Sequence, residues 1–172
     1  QVLPGVRPRD LAGSRGEDQP MLLAQEFPGY SSALVSGVDL PGEPQRKRFG
    51  NLILSRLPMG RVMRYSLPWP AAPEVPSMPR VAVEAVIEAP FGPLRIITTH
   101  IEFYSSAHRA AQIDRLAEVH REALAQRLDE KGGSFQSPGR PASAIVCGDF
   151  NLPPHDPLHR RMLEHGFVDA WQ

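Results

Sequence analysis

The chain contains 172 residues, 41% of them hydrophobic and 22% charged, which is the balance of a globular domain large enough to bury a core. Its 19 Lys and Arg residues equal its 19 Asp and Glu residues, and this net charge of +0 argues against a protein that coats nucleic acid non-specifically. The single cysteine, Cys147, leaves no partner for an intramolecular disulfide, and no apolar run is long enough to span a bilayer.

The first part of the chain is predicted to contain one short helix and two strands. Residues 1–19 are interrupted by Gly and Pro and are predicted to form a loop. The stretch DQPMLLAQEF is typical of a helix that Asp18 caps and the following Pro-Gly pair ends. YSSALVSGV (30–38) fits a strand, and NLILSRLPM (51–59), apolar on both faces, fits a central strand.

The second part is predicted to contain a hairpin, two helices and a buried strand. RVAVEAVIEA (80–89) alternates in hydrophobicity, turns at APFG and returns as PLRIITTHI (93–101). The longest helix is predicted to begin at Ser105 or Ser106 and to stop at a Gly-Gly pair, with an apolar stripe formed by Ile113, Leu116, Ala117, His120, Leu124 and Leu128. AIVCG (144–148) is predicted as a buried strand, and PLHRRMLEH as a helix started by Asp156. This mixed order favours an α/β fold with mixed sheets covered by helices.

Asp149 and Asn151 follow the last predicted strand and are candidates for chemistry. If the backbone stays extended past Gly148, both side chains point to one side and Phe150 points to the other. Asp can act as a base or a metal ligand, and Asn can donate to a phosphoryl oxygen. Taken alone, these residues slightly favour the alternative, a turn in which the Asp side chain merely closes the strand.

Further polar side chains stand near the ends of other predicted elements. His100 ends the strand IITTH and could donate to an anionic substrate or exchange protons, although a lone histidine is more often structural. Glu102 is two residues after His100, so in extended backbone both side chains would point to the same side and Glu102 could be a hydrogen-bond partner that supports His100. Asn51, at a predicted strand start, could contact a phosphate or cap a turn, and the nearby QRKR could meet an anion or form a solvated loop.

Arg109 and Gln112 are predicted to support the site rather than to catalyse. They are three residues apart near the start of the long helix, and therefore share one helix face. From there they could brace the loop after His100 through hydrogen bonds, or they could simply be polar surface residues.

Taken together and in order, these segments resemble the successive motifs of the endonuclease/exonuclease/phosphatase family. The motifs are RFGNLILSRLPM, IITTHIEFYSSAHRAAQIDRL, IVCGDFNLPPHDPLHRRML and GFVDAW, and DQPMLLAQEFPGY resembles the segment that precedes the first of them. The resemblance covers nearly the whole chain, so we expect residues 1–172 to form a single domain. It implies a DNase I-like fold, a four-layered α/β sandwich with two mixed, mostly antiparallel sheets.

The resemblance also implies an activity and a role for each candidate. It implies Mg²⁺- or Mn²⁺-dependent hydrolysis of phosphoesters, with phosphodiesters as the expected substrates. Asp149 would orient or deprotonate the attacking water and is the tentative metal ligand. Asn151 and His100 would hold phosphoryl oxygens, and Asn51 would line the same phosphate-binding cleft. The substrate could be a phosphoester small molecule, a lipid headgroup or nucleic acid.

The chain also departs from the family pattern. The family's early Gln-Glu, whose glutamate binds the metal, has no carboxylate counterpart near Gln1, and no Ser-Asp-His follows GFVDAW. We therefore expect the chain to lack the family's first strands and its C-terminal segment, and to have little activity by itself. A non-catalytic relative that binds a phosphorylated ligand or a protein partner is the alternative, as is a dedicated nuclease. A cytoplasmic location is expected, although the start at Gln1 leaves an N-terminal targeting segment open.

Overall fold

The computed structural model describes the backbone of residues 2–6 together with residues 17–43, 45–128, 134, 139–153 and 155–171. Within these ranges the elements are β1 Val2–Val6, α1 Gln19–Glu26, β2 Ser31–Leu40, β3 Lys47–Ser55, β4 Met59–Ser66, β5 Val81–Ala89, β6 Gly92–His100, α2 Ser106–Ala125, β7 Ala144–Asp149 and α3 Pro157–Glu164. No helix in these ranges has both the length and the apolar character needed to cross a membrane.

The strands form two sheets. The first has the order β1-β3-β2 and is antiparallel throughout, which confirms the predicted central strand, although β3 spans Lys47–Ser55 rather than 51–59. The second has the order β4-β5-β6-β7, and only its β6–β7 pair is parallel. The predicted hairpin is the antiparallel β5–β6 pair. The parallel pair requires a long crossover connection, which α2 supplies.

Apolar side chains hold four layers together, as predicted. Between the sheets, Ala33 and Ile53 of the first sheet share a buried cluster with Val83 and Ala85 of the second. On the outer face of the first sheet, Leu23 and Phe27 of α1 pack against Leu52 and Leu54. On the outer face of the second sheet, α2 and α3 pack over Ala82 and Ile97, using Ile113, Leu116, Val119, Leu158 and Met162.

The helix starts agree with the sequence because each predicted cap forms. Asp18 Oδ1 accepts a hydrogen bond from the Met21 N–H at 3.2 Å, and Asp156 Oδ1 accepts one from the Leu158 N–H at 2.8 Å. Ser105 Oγ accepts one from the His108 N–H at 3.2 Å. These bonds satisfy donors that a helix leaves unpaired in its first turn.

Three predictions about the strands were wrong. The loop predicted for residues 1–19 contains the strand β1, whose irregular pairing with β3 between Leu3 and Val6 accommodates a Pro-Gly pair at a sheet edge. The strand β4 was missed because its glycine and arginines obscure the alternation. The strand predicted at 144–148 is not buried: β7 is the outermost of the described strands in its sheet, and Ile145 is 50% exposed.

The long helix is shorter than predicted. It ends at Ala125, and the backbone N–H of Gln126 closes its last turn. Leu128 therefore lies beyond the helix and is 76% exposed rather than part of the apolar stripe. The Gly-Gly pair predicted to stop the helix lies outside the described residues.

A buried ionic network lies between the second sheet and α2, and it was not predicted. Glu84 on β5 accepts hydrogen bonds from Arg95 Nη1 at 3.1 Å and from Arg140 Nη2 at 2.8 Å, and all three side chains are at most 2% exposed. Arg140 Nη2 also donates to Tyr65 Oη at 2.8 Å, and Arg95 Nη2 lies 2.7 Å from His120 Nδ1. Because Arg can only donate, His120 Nδ1 is an acceptor and the ring is neutral. Burial, followed by the charge of Glu84, raises the pKa of Tyr65 to about 12.

Candidate active site

His100 and Asp149 lie side by side at one edge of the second sheet. The strands β6 and β7 are parallel, and their register pairs His100 with Asp149 as the last residue of each strand. His100 Nε2 lies 3.5 Å from Asp149 Oδ2, and the two side chains are 21% and 47% exposed. Both groups are thus open to solvent from positions that the sheet fixes, a combination suited to binding and catalysis.

Gly148 allows β7 to approach β6 this closely. Its φ is +136°, and a Cβ at this position would lie 1.9 Å from the backbone oxygen of Thr99. A residue with a side chain would therefore clash with β6 as well as strain the backbone. The glycine before Asp149 is required by the parallel pairing that brings Asp149 to His100.

The turn after β7 differs from the extended segment that the alternation predicted. Asn151 has a φ of 48°, and its backbone N–H donates to Asp149 Oδ1 at 2.9 Å, so the Asp side chain closes a turn. The Asn151 side chain nevertheless stays near the site, because its Nδ2 donates to the Ile101 carbonyl oxygen at 2.8 Å. Phe150 packs against the core, as expected. The turn and the cluster of polar side chains, which were offered as alternatives from the sequence, therefore occur together.

Asn51 approaches the same region from the first sheet. It lies in the middle of β3 rather than at the predicted strand start, and it is 2% exposed. Its Nδ2 donates to the Val81 carbonyl oxygen at 2.9 Å, and Thr99 Oγ1 donates to the same oxygen at 3.0 Å. Its Oδ1 is buried without a hydrogen-bond partner among the described residues. This shared carbonyl places the Asn51 amide close to the residue that precedes His100.

Phe49 and Arg80 belong to the site but were missed in the sequence. The Phe49 ring lies 5.6 Å from the His100 ring, and the Arg80 guanidinium lies 6.0 Å from the centre of the Phe49 ring. Burial lowers the pKa of Arg80, opposed by the negative charges of Glu102 and Asp149. Phe49 stands within the quoted motif RFGNLILSR, but Arg80 precedes β5 without any local signal of its role.

Glu102 is fully buried and has several partners. Its Oε1 accepts hydrogen bonds from the backbone N–H groups of Phe103 and Tyr104 at 2.8 and 2.9 Å. Its Oε2 lies 3.5 Å from Arg80 Nε. Burial alone would raise the pKa of the Glu102 carboxyl, but the Tyr104 N–H, Arg80 and the Phe103 N–H together hold it below its usual value. Glu102 is therefore an ionised group inside the protein.

Gln112 and Arg109 both bond to the segment after His100. Gln112 Oε1 accepts a hydrogen bond from the Glu102 N–H at 2.9 Å, and Gln112 Nε2 donates to the Pro68 carbonyl oxygen at 3.0 Å. Arg109 Nη1 donates to the carbonyl oxygen of Phe103 and, at 3.5 Å, to that of Glu102. Gln112 is fully buried, so it is not one of the surface residues that its helix position also allowed.

The basic run QRKR (45–48) forms ion pairs with a carboxylate on the neighbouring strand. Arg46 Nε lies 2.6 Å from Asp39 Oδ1, and Arg48 Nε lies 3.4 Å from Asp39 Oδ2. Arg48 and Asp39 face each other in the β2–β3 pairing. Two of the three cations in the run are therefore paired with a carboxylate on the neighbouring strand.

The side chains of the site offer oxygen donors to a divalent cation. Asp149 and Asn51 carry oxygen atoms, the ligand type that Mg²⁺ prefers, and Mg²⁺ commonly uses only one or two carboxylates together with substrate oxygens and water. No group of three His, Cys, Asp or Glu side chains in the described ranges is arranged to hold a metal ion. The site thus fits a cation that Asp149 and the substrate hold in common, not one enclosed by the described side chains.

Comparisons with known proteins show the family and the fold of the chain. A sequence model of the Endonuclease/Exonuclease/phosphatase family matches residues 7–172. No curated protein matches the chain. The solved structures that match include an endonuclease/exonuclease/phosphatase from Beutenbergia cavernae DSM 12333, with 22% identity and a TM-score of 0.67, which covers 99% of this chain and 45% of its own.

Two further matching structures carry the names of enzymes. Sphingomyelinase C from Streptomyces griseocarneus is 16% identical with a TM-score of 0.61, covering 98% of this chain and 57% of its own. The mannosyl-6-phosphatase Bt3783 of Bacteroides thetaiotaomicron VPI-5482 is 16% identical with a TM-score of 0.58, covering 86% and 52%. The chain therefore spans about half the length of the structures that it matches, and at these identities the likeness shows the shared fold.

Proposed function

Because the chain belongs to the endonuclease/exonuclease/phosphatase family, we propose that it belongs to a metal-dependent phosphohydrolase that acts on phosphodiesters. The observation that carries the proposal is the pairing of His100 with Asp149 at the ends of two parallel strands, with Asn151 in the turn that follows. A proton donor, a carboxylate and an amide then face one space, which suits hydrolysis of a phosphoester by water.

Asp149 orients or deprotonates the attacking water. One of its oxygens, Oδ1, is held by the Asn151 N–H, so the carboxylate cannot rotate freely. The other oxygen, Oδ2, lies 3.5 Å from His100 Nε2, so one water molecule or phosphoryl oxygen placed beside the two groups, rather than between them, can contact both. His100 Nε2 then donates a hydrogen bond to a phosphoryl oxygen as negative charge develops there.

Asn151 and Asn51 hold the phosphoryl group by their amides. The Asn151 amide carries two N–H bonds, of which one is directed at the Ile101 carbonyl oxygen, and the second is the donor to the substrate. Asn51 lines the same cleft from β3, where its Val81 bond fixes the plane of its amide. Such fixed donors stabilise developing charge without reorganising during the reaction.

Mg²⁺ or Mn²⁺ is the proposed cofactor, with Asp149 as its ligand in this chain. When bound, the ion neutralises charge on the phosphoryl oxygens as a Lewis acid. The family includes proteins named as phosphatases and a sphingomyelinase, but the substrate of this chain stays a proposal. A small phosphoester, a lipid headgroup and nucleic acid share the phosphoryl group that the site would bind, and a cytoplasmic location stays a prediction.

The test compares site variants with a matched pair elsewhere in the full-length protein. Hydrolysis of bis(p-nitrophenyl) phosphate is measured with Mg²⁺ and with Mn²⁺ for wild type, Asp149→Asn and His100→Gln. We expect each site variant to lower kcat by about 100-fold or more without lowering the melting temperature appreciably. The control is the His159–Asp169 pair, whose Nε2 and Oδ2 atoms are 2.9 Å apart outside the site.

The control variants His159→Gln and Asp169→Asn should keep the wild-type rate. Equal rates in wild type and both site variants would refute the assignment of the site. Calorimetric titration of the same proteins with Mg²⁺ separates an enzyme from a non-catalytic relative. Only an enzyme should bind the ion, and its affinity should fall in Asp149→Asn.

A further inference from the structure

The segment that follows His100 is irregular, yet its backbone is held at nearly every residue. The Ile101 N–H donates to the Asp149 carbonyl oxygen at 3.0 Å, and the Ile101 carbonyl oxygen accepts from Asn151. The next three residues bond to the side chains of Glu102, Gln112 and Arg109. Side chains thus satisfy backbone groups of this segment that have no strand partner.

Glu102 is the centre of these bonds. It is fully buried, its carboxylate binds the two backbone N–H groups that follow it, and its own N–H binds Gln112. The remaining oxygen faces Arg80, which is 5% exposed. Arg80 in turn donates from Nη1 to the carbonyl oxygen of His100 at 3.5 Å. The two buried charges therefore connect the loop directly to the backbone of His100.

Arg80 also contacts His100 indirectly through a ring. The centre of the Phe49 ring lies 6.0 Å from the Arg80 guanidinium and 5.6 Å from the centre of the His100 ring. The imidazole is thus packed against a ring whose other neighbour is a buried cation. Arg80 therefore neighbours both the backbone of His100 and the ring that packs on its imidazole.

We propose that Glu102 and Arg80 are positioning residues: together they set the place of the His100 imidazole relative to Asp149. The expected effect on catalysis rests on the proposed function, whereas the positioning of His100 by this pair does not. Glu102 keeps Arg80 in place because a buried guanidinium without its carboxylate is unfavourable and would move toward water. Arg80 then fixes the carbonyl oxygen of His100 and the ring of Phe49.

The test uses three variants that separate positioning from mere stability. Glu102→Gln and Arg80→Gln each leave one buried charge without its partner, and the double variant removes both charges. We expect each single variant to lower stability and to lower kcat by about 10- to 100-fold, the loss that a misplaced catalytic group causes. The double variant should regain most of the stability, because no lone charge remains, yet kcat should stay at least about 10-fold below wild type with KM changed little.

A purely structural ion pair predicts otherwise, because activity would return with stability in the double variant, and that result would overturn the proposal. Glu84→Gln is the matched control, since it breaks a buried Arg–Glu interaction that does not contact His100. It should lower stability and leave kcat of the folded protein unchanged. A drop in kcat as large as that of Glu102→Gln would also count against a specific role for Glu102.

A second measurement does not depend on activity. The His100 ring resonances, assigned by their loss in His100→Gln, are followed in ¹H–¹⁵N spectra of the full-length protein. We expect them to shift in Glu102→Gln, Arg80→Gln and the double variant, and to stay in place in Glu84→Gln. Unshifted resonances in the double variant would overturn the proposal. If the wild type hydrolyses no phosphodiester, the proposed function fails while these spectra still decide whether the pair positions His100.

Discussion

Replacing Glu84 by Gln tests the buried network between the second sheet and α2. The substitution keeps the shape of the side chain but removes the only negative charge between Arg95 and Arg140 within the described part of the network. All three side chains are at most 2% exposed, so water cannot solvate the two guanidinium groups that remain. Gln can still accept hydrogen bonds, and the loss therefore reports mainly the missing charge.

The expected loss follows from burial. Breaking a buried ion pair by removing one partner costs about 3–5 kcal/mol of folding stability, because a charge is left uncompensated. For a domain of this length, each 1 kcal/mol shifts Tm by about 2–4 °C, so the expected shift is about 6–20 °C. On the helix surface Arg115 bonds to Glu118, which is 54% exposed, and Glu118→Gln should cost only about 0.3–0.5 kcal/mol.

Urea unfolding of the full-length protein, followed by fluorescence and by circular dichroism, measures both losses. The transitions of Glu84→Gln and of the control Glu118→Gln should keep the wild-type m-value, since a change in m signals an altered unfolded state or a lost two-state transition. A loss below about 1 kcal/mol for Glu84→Gln, at an unchanged m-value, would refute the reasoning. It would mean that the two guanidinium groups find solvent or another anion in the folded protein.

The other predictions concern a glycine and a titrating histidine. Gly148→Ala should cost more than about 2 kcal/mol and lower activity, because its Cβ would lie 1.9 Å from the oxygen of Thr99; Gly92→Ala, also at positive φ but with nothing within 4 Å, should cost about 1 kcal/mol by urea unfolding. Burial and the charge of Arg95 lower the pKa of His120, so the unfolded chain takes up the proton first and stability should decline as the pH falls below about 6.5. His120→Gln should flatten that decline between pH 7 and pH 5, and an equally steep decline in the variant would contradict it.

Local patterns predicted those parts of the fold that depend on neighbouring residues in the chain. The alternation of β5 and β6 around a short turn predicted their hairpin, and Asp18, Ser105 and Asp156 marked the starts of three helices. Each of these features is decided within a few residues, by side-chain periodicity or by a hydrogen bond to the next turn. The four-layered arrangement came from resemblance to a family rather than from these patterns.

Several contacts of the candidate site could not be predicted from local sequence patterns. Phe49 was missed because it meets His100 only after the two sheets pack together, and Arg80 because it meets His100 only across the β5–β6 pair. Alternation predicted the side chains of Asp149 and Asn151 on one side, but the turn that Asn151 closes at a φ of 48° is what brings its amide to the loop after β6. The sequence around Asn151 does not indicate which distant carbonyl oxygen will accept its hydrogen bond.

The sequence by itself determined the hairpin, the helix starts, the central position of β3 and a short set of polar candidates around His100 and Asp149. Only the tertiary structure decided that those two residues are register partners, that Glu102 is buried with Arg80, and that β7 is the outermost of the described strands in its sheet. The physical reason is range: helix caps and strand alternation are settled by contacts within a few residues. The Arg80–Glu102 ion pair instead joins residues 22 positions apart, and the parallel pair β6–β7 brings together residues such as Ile97 and Cys147, which are 50 positions apart.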